Sequence, residues 1–577
     1  MKILSLHCDY LKYKPLKKAV KKPEELNEEM KKETIIEEPL GIFVAVEKAD
    51  EKNPDRAANE LVKNVLDLLD KTKAKRVVLY PYAHLSSDLA DPDVALLVLV
   101  EAETKLNKNK IEVYRAPFGY YKEFELKCKG HPLAELSREI KAEGEKVIEI
   151  KKTEEKNYDE KQLLKQISKS KLDTSKLKEN DHRIIGKKLD LFSFNEAAPG
   201  MVFWHNNGLV IYNELISFWR EVHKRAAYQE ISTPQILDKK LWQVSGHWEK
   251  YKDNIFLTDY ENRIFAVKPM NCPGGMLVYK ATQKSYKDLP LKVGELGIVH
   301  RQELSGVLSG LFRVIKFTQD DAHIFCTEEQ VDEEIENIIK LINKFYTKFS
   351  LEFDHVELST RPEKRIGSDE TWTKAENVLE SVLKKQKIKY KINKGDGAFY
   401  GPKIDFHVKD SLGRTWQLST IQLDFAMPEK FELEYTDKNN EKKRPVMLHR
   451  VVYGSLERFI GILIEHTHGN LPLWLSPIQI RVLSFTDRNI EACKKLILDI
   501  AEKIPSIRID ADFSSTTVND KVRSAEMLKI PYIITIGDKE EEKKTIVIRE
   551  RGDKKLRTDV KANDFVQEIL EKITKRE

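Results

Sequence analysis

Residues 403–425, KIDFHVKDSLGRTWQLSTIQLDF, contain two runs in which apolar and polar side chains alternate, Lys403 to Lys409 and Thr415 to Phe425. A period of two puts one face of each run against a core, which predicts adjacent antiparallel strands. Downstream, Gly454 to His466 (GSLERFIGILIEH) reads as a buried helix. Upstream, Glu328 to Phe349 is an amphipathic helix with Val331, Ile335, Ile338, Ile342, Phe345 and Phe349 as its stripe. Leu209 to Ala226 is another, with Leu215, Ile216, Trp219 and Val222 on one face. The pattern predicts a domain over residues 186–475 built on an antiparallel sheet.

The flanks differ in character. Ile3 to His7, Gly41 to Glu47 and Arg76 to Tyr80 read as buried strands around a helical Arg56 to Leu69, a small α/β domain over residues 1–140. Residues 141–185 are dense in charge and poor in aromatics, which predicts a linker with a short exposed helix near Asp159 to Ile167. At the other end, strands at Ile480 to Phe485, Ile507 to Asp510 and Tyr532 to Ile536 alternate with helices at Ile490 to Ile504 and Asp520 to Leu528. They predict an α/β domain over residues 476–577. The fold class is therefore a multidomain mixture of α/β and α+β.

Composition excludes several classes. The 577 residues are 41% hydrophobic and 33% charged, with a net charge of +5. That allows several packed cores, and the charge content is compatible with the surface ion-pair networks of hyperthermophiles. The five cysteines (Cys8, Cys128, Cys272, Cys326 and Cys493) are scattered and odd in number, the pattern of a reducing compartment. Cys128, within KCKG, is expected to be buried or half-buried. The longest apolar run, about Val94 to Val100, is too short to span a bilayer. His7 and Asp9 interrupt the N-terminus where a signal peptide needs apolar residues. A soluble, cytoplasmic protein with no membrane partner is expected.

PGMVFWHNNG (Pro199 to Gly208), KPMNCPGG (Lys268 to Gly275), HRQE (His300 to Glu303), FTQDDAHIFCTEEQ (Phe317 to Gln330), STRPEKRIGSDE (Ser359 to Glu370), GAFYGPKIDF (Gly397 to Phe406) and the Gly454 helix follow one another in order. Together they resemble the threonyl-tRNA synthetases, from about Gly186 to Glu577. The resemblance implies a class II synthetase core that joins L-threonine to ATP and passes it to tRNA(Thr). Displacing pyrophosphate with a carboxylate brings two anions together, which calls for fixed cations and Mg²⁺ on the phosphates. By resemblance, Arg301 contacts the α-phosphate and carboxylate, Glu303 reads the adenine amino group and Phe317 stacks on the ring. Arg458 binds the triphosphate, and Arg313 is a further cation. Gln319, Tyr400, Lys403, Gln417 and Gln422 are expected to line the pocket, Gln417 on the ATP side and Lys403 near the reaction. Pro234, in YQEISTP, matches a motif at the family's dimer interface, so a homodimer is expected.

The resemblance also picks out a metal site. Cys272, His323 and His449, far apart in sequence, match the family's zinc ligands, whose open position takes the substrate's amino group and hydroxyl. Asp321 would accept from that hydroxyl. His247, in SGHWEKY, matches the residue that assists transfer to the tRNA ribose; on residue type alone it would be a surface histidine. A site that binds a hydroxyl rejects valine by roughly 10⁴ or more, whereas serine lacks only a methyl worth ~1–3 kcal/mol. A zinc-based threonine site thus calls for a second, hydrolytic site. Synthetases for serine, proline or histidine do not use this triad, and a relative kept only for RNA binding would have lost the ATP-binding arginines.

YPYAHLSSDLADP (Tyr80 to Pro92) and APFGYYKEFELKCKGHPLAELSR (Ala116 to Arg138) resemble the archaeal editing domain of that family, with the fold of D-aminoacyl-tRNA deacylases. By motif position, Lys122 is its cation, with His84, Tyr121 and Glu135 around it; on residue types alone, Lys122 and Glu135 would be a surface ion pair. His131 is expected in a turn. The C-terminal domain resembles class IIa anticodon-binding domains, where Arg523, Glu540 and Arg549 match base-reading positions. Ser515 stands where relatives have Asn.

Overall fold

The computed structural model describes residues 1–20, 23–86, 88–109, 111–131, 133–140, 160–167, 177–261, 263–410 and 413–577. Two compact units divide the chain, Met1–Lys151 and Lys152–Glu577.

The first unit is organised by one long strand, β1 (Lys2–Lys18). Its first half pairs antiparallel with β2 (Pro39–Ala45) on one side and β6 (Glu135–Glu139) on the other. Its second half pairs with Thr34–Glu37 and with β5 (Tyr120–Cys128). From β2 the sheet continues in parallel through β3 (Arg76–Pro81) and β4 (Glu112–Arg115). Every residue of β2 is buried, as befits a strand covered on both faces. Helix α1 (Pro54–Thr72) starts where Asn53 accepts a hydrogen bond from the Arg56 N–H, with Pro54 in its first turn. Its Leu61, Val65 and Leu68 share one core with Ile42 of β2, Val77 of β3 and Val98 of helix α2 (Pro92–Lys108). Cys128 departs from expectation. It ends β5 opposite the buried Cys8 of β1, and is exposed.

An exposed helix, Glu160–Ile167, stands where the charged stretch predicted one. Asp159 and the rest of the predicted linker at residues 141–159 and 168–176 lie outside the described residues. The linker's expected end at residue 185 is corrected. Helix α3 (His182–Lys188) is capped by Asp181 and buries His182 and Ile185 in the second unit, so the packed chain begins before Gly186.

The second unit carries an eight-stranded sheet: Gln229–Glu230, β7 (Leu291–His300), β8 (Lys316–Cys326), β12 (Val446–Val451), β11 (Thr415–Asp424), β10 (Lys403–Lys409), β9 (Phe353–Ser359) and Lys391–Asn393. All pairings are antiparallel except those of the two outermost short strands. The alternating stretch thus forms β10 and β11 as expected. Helices α4 (Asn206–Arg225) and α6 (Val331–Lys348) bury their predicted stripes, Ile216 only partly, and α7 (Leu456–His466) is buried as expected, all in one core with Ile404, Phe406, Leu418 and Ile421 of the sheet. Helix α5 (Cys272–Lys280) lies between α4 and β7 in sequence.

The C-terminal part is a five-stranded sheet in the order β14 (Ile509–Asp512), β13 (Ile480–Ser484), β15 (Tyr532–Ile536), β16 (Thr545–Glu550), β17 (Arg557–Lys561). The helices α8 (Ile490–Lys503), α9 (Val518–Met527), α10 (Asp538–Lys543) and α11 (Ala562–Lys575) complete it. Arg508 ties this part to α4 through Glu214 at 2.7 Å, and donates to the Trp474 and Ser476 carbonyls at 2.7 and 2.9 Å. Arg576 pairs with Glu221 and covers the Phe218 ring. Among the described residues no helix is long and apolar enough to cross a membrane.

Candidate active sites

Strand register assembles the main site. His323 on β8 lies directly opposite His449 on β12, which in turn lies opposite Gln422 on β11. The two imidazoles meet edge to face with centroids 5.0 Å apart. Cys272 enters from the first turn of α5. That helix comes so close that a Cβ on Gly275 would sit 3.2 Å from His323 Nδ1. The three donor atoms lie within 4.8 Å of one another, all buried, and His323 Nε2 has no hydrogen-bond partner. One thiol and two imidazoles suit a zinc ion with an open position. Burial pushes the Cys272 thiol well above its ordinary range and lowers His323 to about 4, against the pull of Asp321. Asp424 Oδ2, 2.8 Å from His449 Nε2, orients that ring.

Cys272 and His449 line a cavity of about 630 Å³. The same wall carries Arg301, Glu303, Arg313, Phe317, Gln319, Asp321, Tyr400, Lys403, Gln417, Gln422 and Arg458. Arg301 lies over the Phe317 ring, 5.2 Å from its centroid, and donates to the Pro269 carbonyl. Arg458 follows the N-cap Ser455 of α7 and donates to the Phe312 and Gln417 carbonyls. Its guanidinium is held below its ordinary pKa by burial and then by Arg313 and Arg301. A crowded cationic wall of this kind suits a polyphosphate. Glu303 pairs with Arg313 at 3.0 Å. Tyr400 donates to Gln422 Oε1 at 2.6 Å. Lys403 contacts Asp405 and Asp396; burial opposes its charge, but the two carboxylates keep its pKa raised. Position 454 calls for glycine twice over: its φ is +82°, and a Cβ there would meet the Leu418 carbonyl oxygen at 2.7 Å.

His247 is not a surface residue. It is wholly buried and does not line the cavity. Its ring packs edge-on against Phe399, with Nδ1 2.8 Å from Ser245 Oγ and Nε2 unpartnered. Burial, then His449, lowers its pKa to about 3, so the ring is neutral. The role of Asp424 left no trace in the sequence, because only the β11–β12 register brings it to His449.

In the first unit, Lys122 Nζ donates to the Pro117 and Tyr120 carbonyls and lies over the Tyr80 ring. Tyr82 links that cluster to His84, ring to ring at 5.3 Å. Burial lowers Lys122 to about 8, with Glu24 opposing. The expectation that Tyr121 and Glu135 surround Lys122 is corrected. Tyr121 is exposed and, as the neighbour of Lys122 on a strand, points to the other face. Glu135 faces Leu6 of β1 whereas Lys122 faces Pro15, roughly 30 Å further along an extended strand. The pairing of Lys122 with Glu135 as a surface ion pair falls with it. His131 sits in a bend, its Nε2 2.9 Å from His7 Nδ1.

In the C-terminal part, Arg549 on β16 donates to Glu526, one turn beyond the exposed Arg523 on α9. It also lines a cavity of about 590 Å³ with Lys529, Arg551 and Lys554. Glu540 instead caps α10 through the Gly537 N–H. Ser515 lies exposed in the loop before α9.

An antiparallel sheet with a cationic, aromatic-flanked cavity, joined to a five-stranded α/β domain, defines a class II aminoacyl-tRNA synthetase core. Family models match accordingly: the archaea-specific editing domain of threonyl-tRNA synthetase over residues 1–140, the tRNA synthetase class II core domain (G, H, P, S and T) over 256–467, and an anticodon binding domain over 479–572. The chain belongs to the threonyl-tRNA synthetase family. It is similar to the solved RNA binding domain of threonyl-tRNA synthetase from Cryptosporidium parvum Iowa II, 38% identical with a TM-score of 0.65, covering 68% of this chain and 98% of that one. Threonine--tRNA ligase of Caldanaerobacter subterraneus subsp. tengcongensis is 52% identical over 396 residues, covering 69% of this chain and 61% of the relative. That of Natranaerobius thermophilus is 54% identical over 378 residues, covering 65% and 59%. The chain thus spans about three-fifths of the length of these curated relatives.

Proposed function

We propose that the chain activates L-threonine with MgATP, transfers it to tRNA(Thr) and hydrolyses mischarged seryl-tRNA(Thr), working as a homodimer. The observation that carries this reading is that one cavity joins the arginine cluster to Cys272 and His449, whose donor atoms lie within 4.8 Å of each other and of that of His323. Arg301, Arg313 and Arg458 would hold the triphosphate bent, with Phe317 under the adenine and Glu303 accepting from its amino group. The threonine carboxylate attacks the α-phosphorus, pyrophosphate leaves, and Arg301 stabilises the charge that develops between them. Lys403 and Gln417 hold the ATP side of the cavity, and Gln319, Tyr400 and Gln422 frame the amino acid. Zinc on the triad would supply a Lewis-acid position for the substrate's amino and hydroxyl groups. Asp321 accepts from that hydroxyl, so valine finds no partner there. His247 would act on transfer by holding Tyr400 and Phe399 in place, its neutral ring lying behind the wall. A ribose hydroxyl then attacks the aminoacyl carbonyl and AMP departs.

Serine keeps the hydroxyl, and Lys122 with His84 supports a separate hydrolytic site for it. Arg523, Glu540 and Arg549 are proposed readers of the anticodon. A charging assay with threonine, serine and valine, read beside bound zinc, tests the proposal. Threonine is expected to remain on tRNA, serine to be activated and then released, and valine to be refused. Stable charging with valine would overturn it.

A further inference from the structure

A second group of metal-type donors lies on the same sheet, outside the cavity. His355 on β9 and His407 on β10 are cross-strand partners whose rings stack at 4.4 Å with a 9° interplanar angle. Glu357, two residues along β9 and so on the same face, offers Oε1 to His355 Nε2 at 3.3 Å and Oε2 to His407 Nε2 at 3.7 Å. The three donor atoms lie within 4.8 Å of one another, and all three residues are half-buried. A tetrahedral ion with bonds of ~2.0–2.1 Å spaces its ligand atoms by roughly 3.3 Å. Three further facts favour a ligand over a mere ion pair. His407 Nε2 is buried with no hydrogen-bond partner. Asp354 Oδ2 sits 2.8 Å from Nδ1 of His355, the arrangement that fixes a ligating imidazole from behind. Asn393 likewise donates to Glu357 Oε2 at 2.9 Å and steadies the carboxylate.

We propose that His355, Glu357 and His407 form a second divalent-metal site, separate from the Cys272 cluster. Two imidazoles and one carboxylate select a borderline transition ion of the zinc, cobalt(II) or nickel(II) class over magnesium or calcium. Such an ion staples β9 to β10 near the end of the sheet. Strand β10 also carries Lys403 and Asp405, and Ser359 of β9 donates to Asp405 at 2.9 Å. The staple therefore stiffens the strand pair behind the cavity wall without touching the cavity.

The test uses the full chain equilibrated with zinc chloride and then freed of excess metal. The parent is expected to hold one more equivalent per chain than the His355→Ala/His407→Ala variant, with equal threonine-dependent pyrophosphate exchange. Equal metal content in the two proteins overturns the proposal. If the double variant does not fold, Glu357→Gln and cobalt(II) decide. The parent should show a thiolate-to-cobalt band from the Cys272 cluster plus a band set without thiolate character, and Glu357→Gln should lose only the latter. A parent spectrum with thiolate bands alone refutes the second site, whatever becomes of the first.

Discussion

Asp424 divides its carboxylate between two tasks. Oδ1 accepts from the Ala426 and Met427 N–H groups at 2.8 and 2.9 Å, turning the chain after β11, while Oδ2 faces His449. Asp424→Asn keeps the first task and replaces the second oxygen with an amide. Zinc affinity is expected to fall by about 10–100-fold with little loss of folding, measured by chelator competition. Unchanged affinity would mean that His449 needs no such partner. Lys122 invites a test by pH. Its pKa, lowered by burial to about 8, means that the ammonium is present below that pH and lost above it. If the charge is used, the deacylation rate of the parent relative to Lys122→Met should shrink as pH rises from about 7 to about 9. The ratio removes the intrinsic pH dependence of ester hydrolysis. A ratio that stays flat would show that Lys122 acts without its charge.

Among elements, α3 is short, yet it holds the segment that leads into the cavity wall at Phe312 and Arg313. Glu465 Oε1 accepts from the His182 N–H at 3.1 Å and lies 2.8 Å from its Nδ1, while His182 Nε2 accepts from the Leu311 N–H at 2.9 Å. Leu311 and Phe312 lead directly into Arg313. His182→Ala leaves a buried N–H unpaired, at about 1–3 kcal/mol, and frees the segment that carries Arg313. KM for ATP is expected to rise on the order of tenfold while KM for threonine holds; equal change in both would point to general loosening. This element was hidden in the sequence because its apolar content is Ile184 and Ile185 inside a charged stretch. Strands β10 and β11 were legible because Ile404, Phe406, Leu418 and Ile421 alternate with polar residues along a face that stays buried. The zinc-type triad was legible only through motif resemblance, since it is pairing across β8 and β12 that joins His323 to His449. Register explains the failures as well. Motif position set Glu135 beside Lys122, but pairing along β1 parts them. The elements β16, β17, α10 and α11 also escaped, their charged faces masking short apolar repeats such as Ile546 and Ile548.

At the scale of the molecule, the two compact units carry their own cores. One is built on Leu40, Ile42, Leu61 and Val77, the other on Trp219, Ile342, Phe406 and Ile460. Within the second unit, Arg508 and Arg576 bind the C-terminal part to α4, so those parts should unfold together. Calorimetry of the full chain is expected to show two transitions, and deletion of residues 1–176 should remove one and leave the other in place. Because every residue of the proposed activation site lies in the second unit, the deleted chain should keep threonine-dependent pyrophosphate exchange within about twofold. It should nevertheless accumulate seryl-tRNA(Thr), since a single methyl supplies only ~1–3 kcal/mol of discrimination at the first site. A truncated chain that stays free of seryl-tRNA would place the rejection of serine in the synthetic cavity, and the first unit would then need another task.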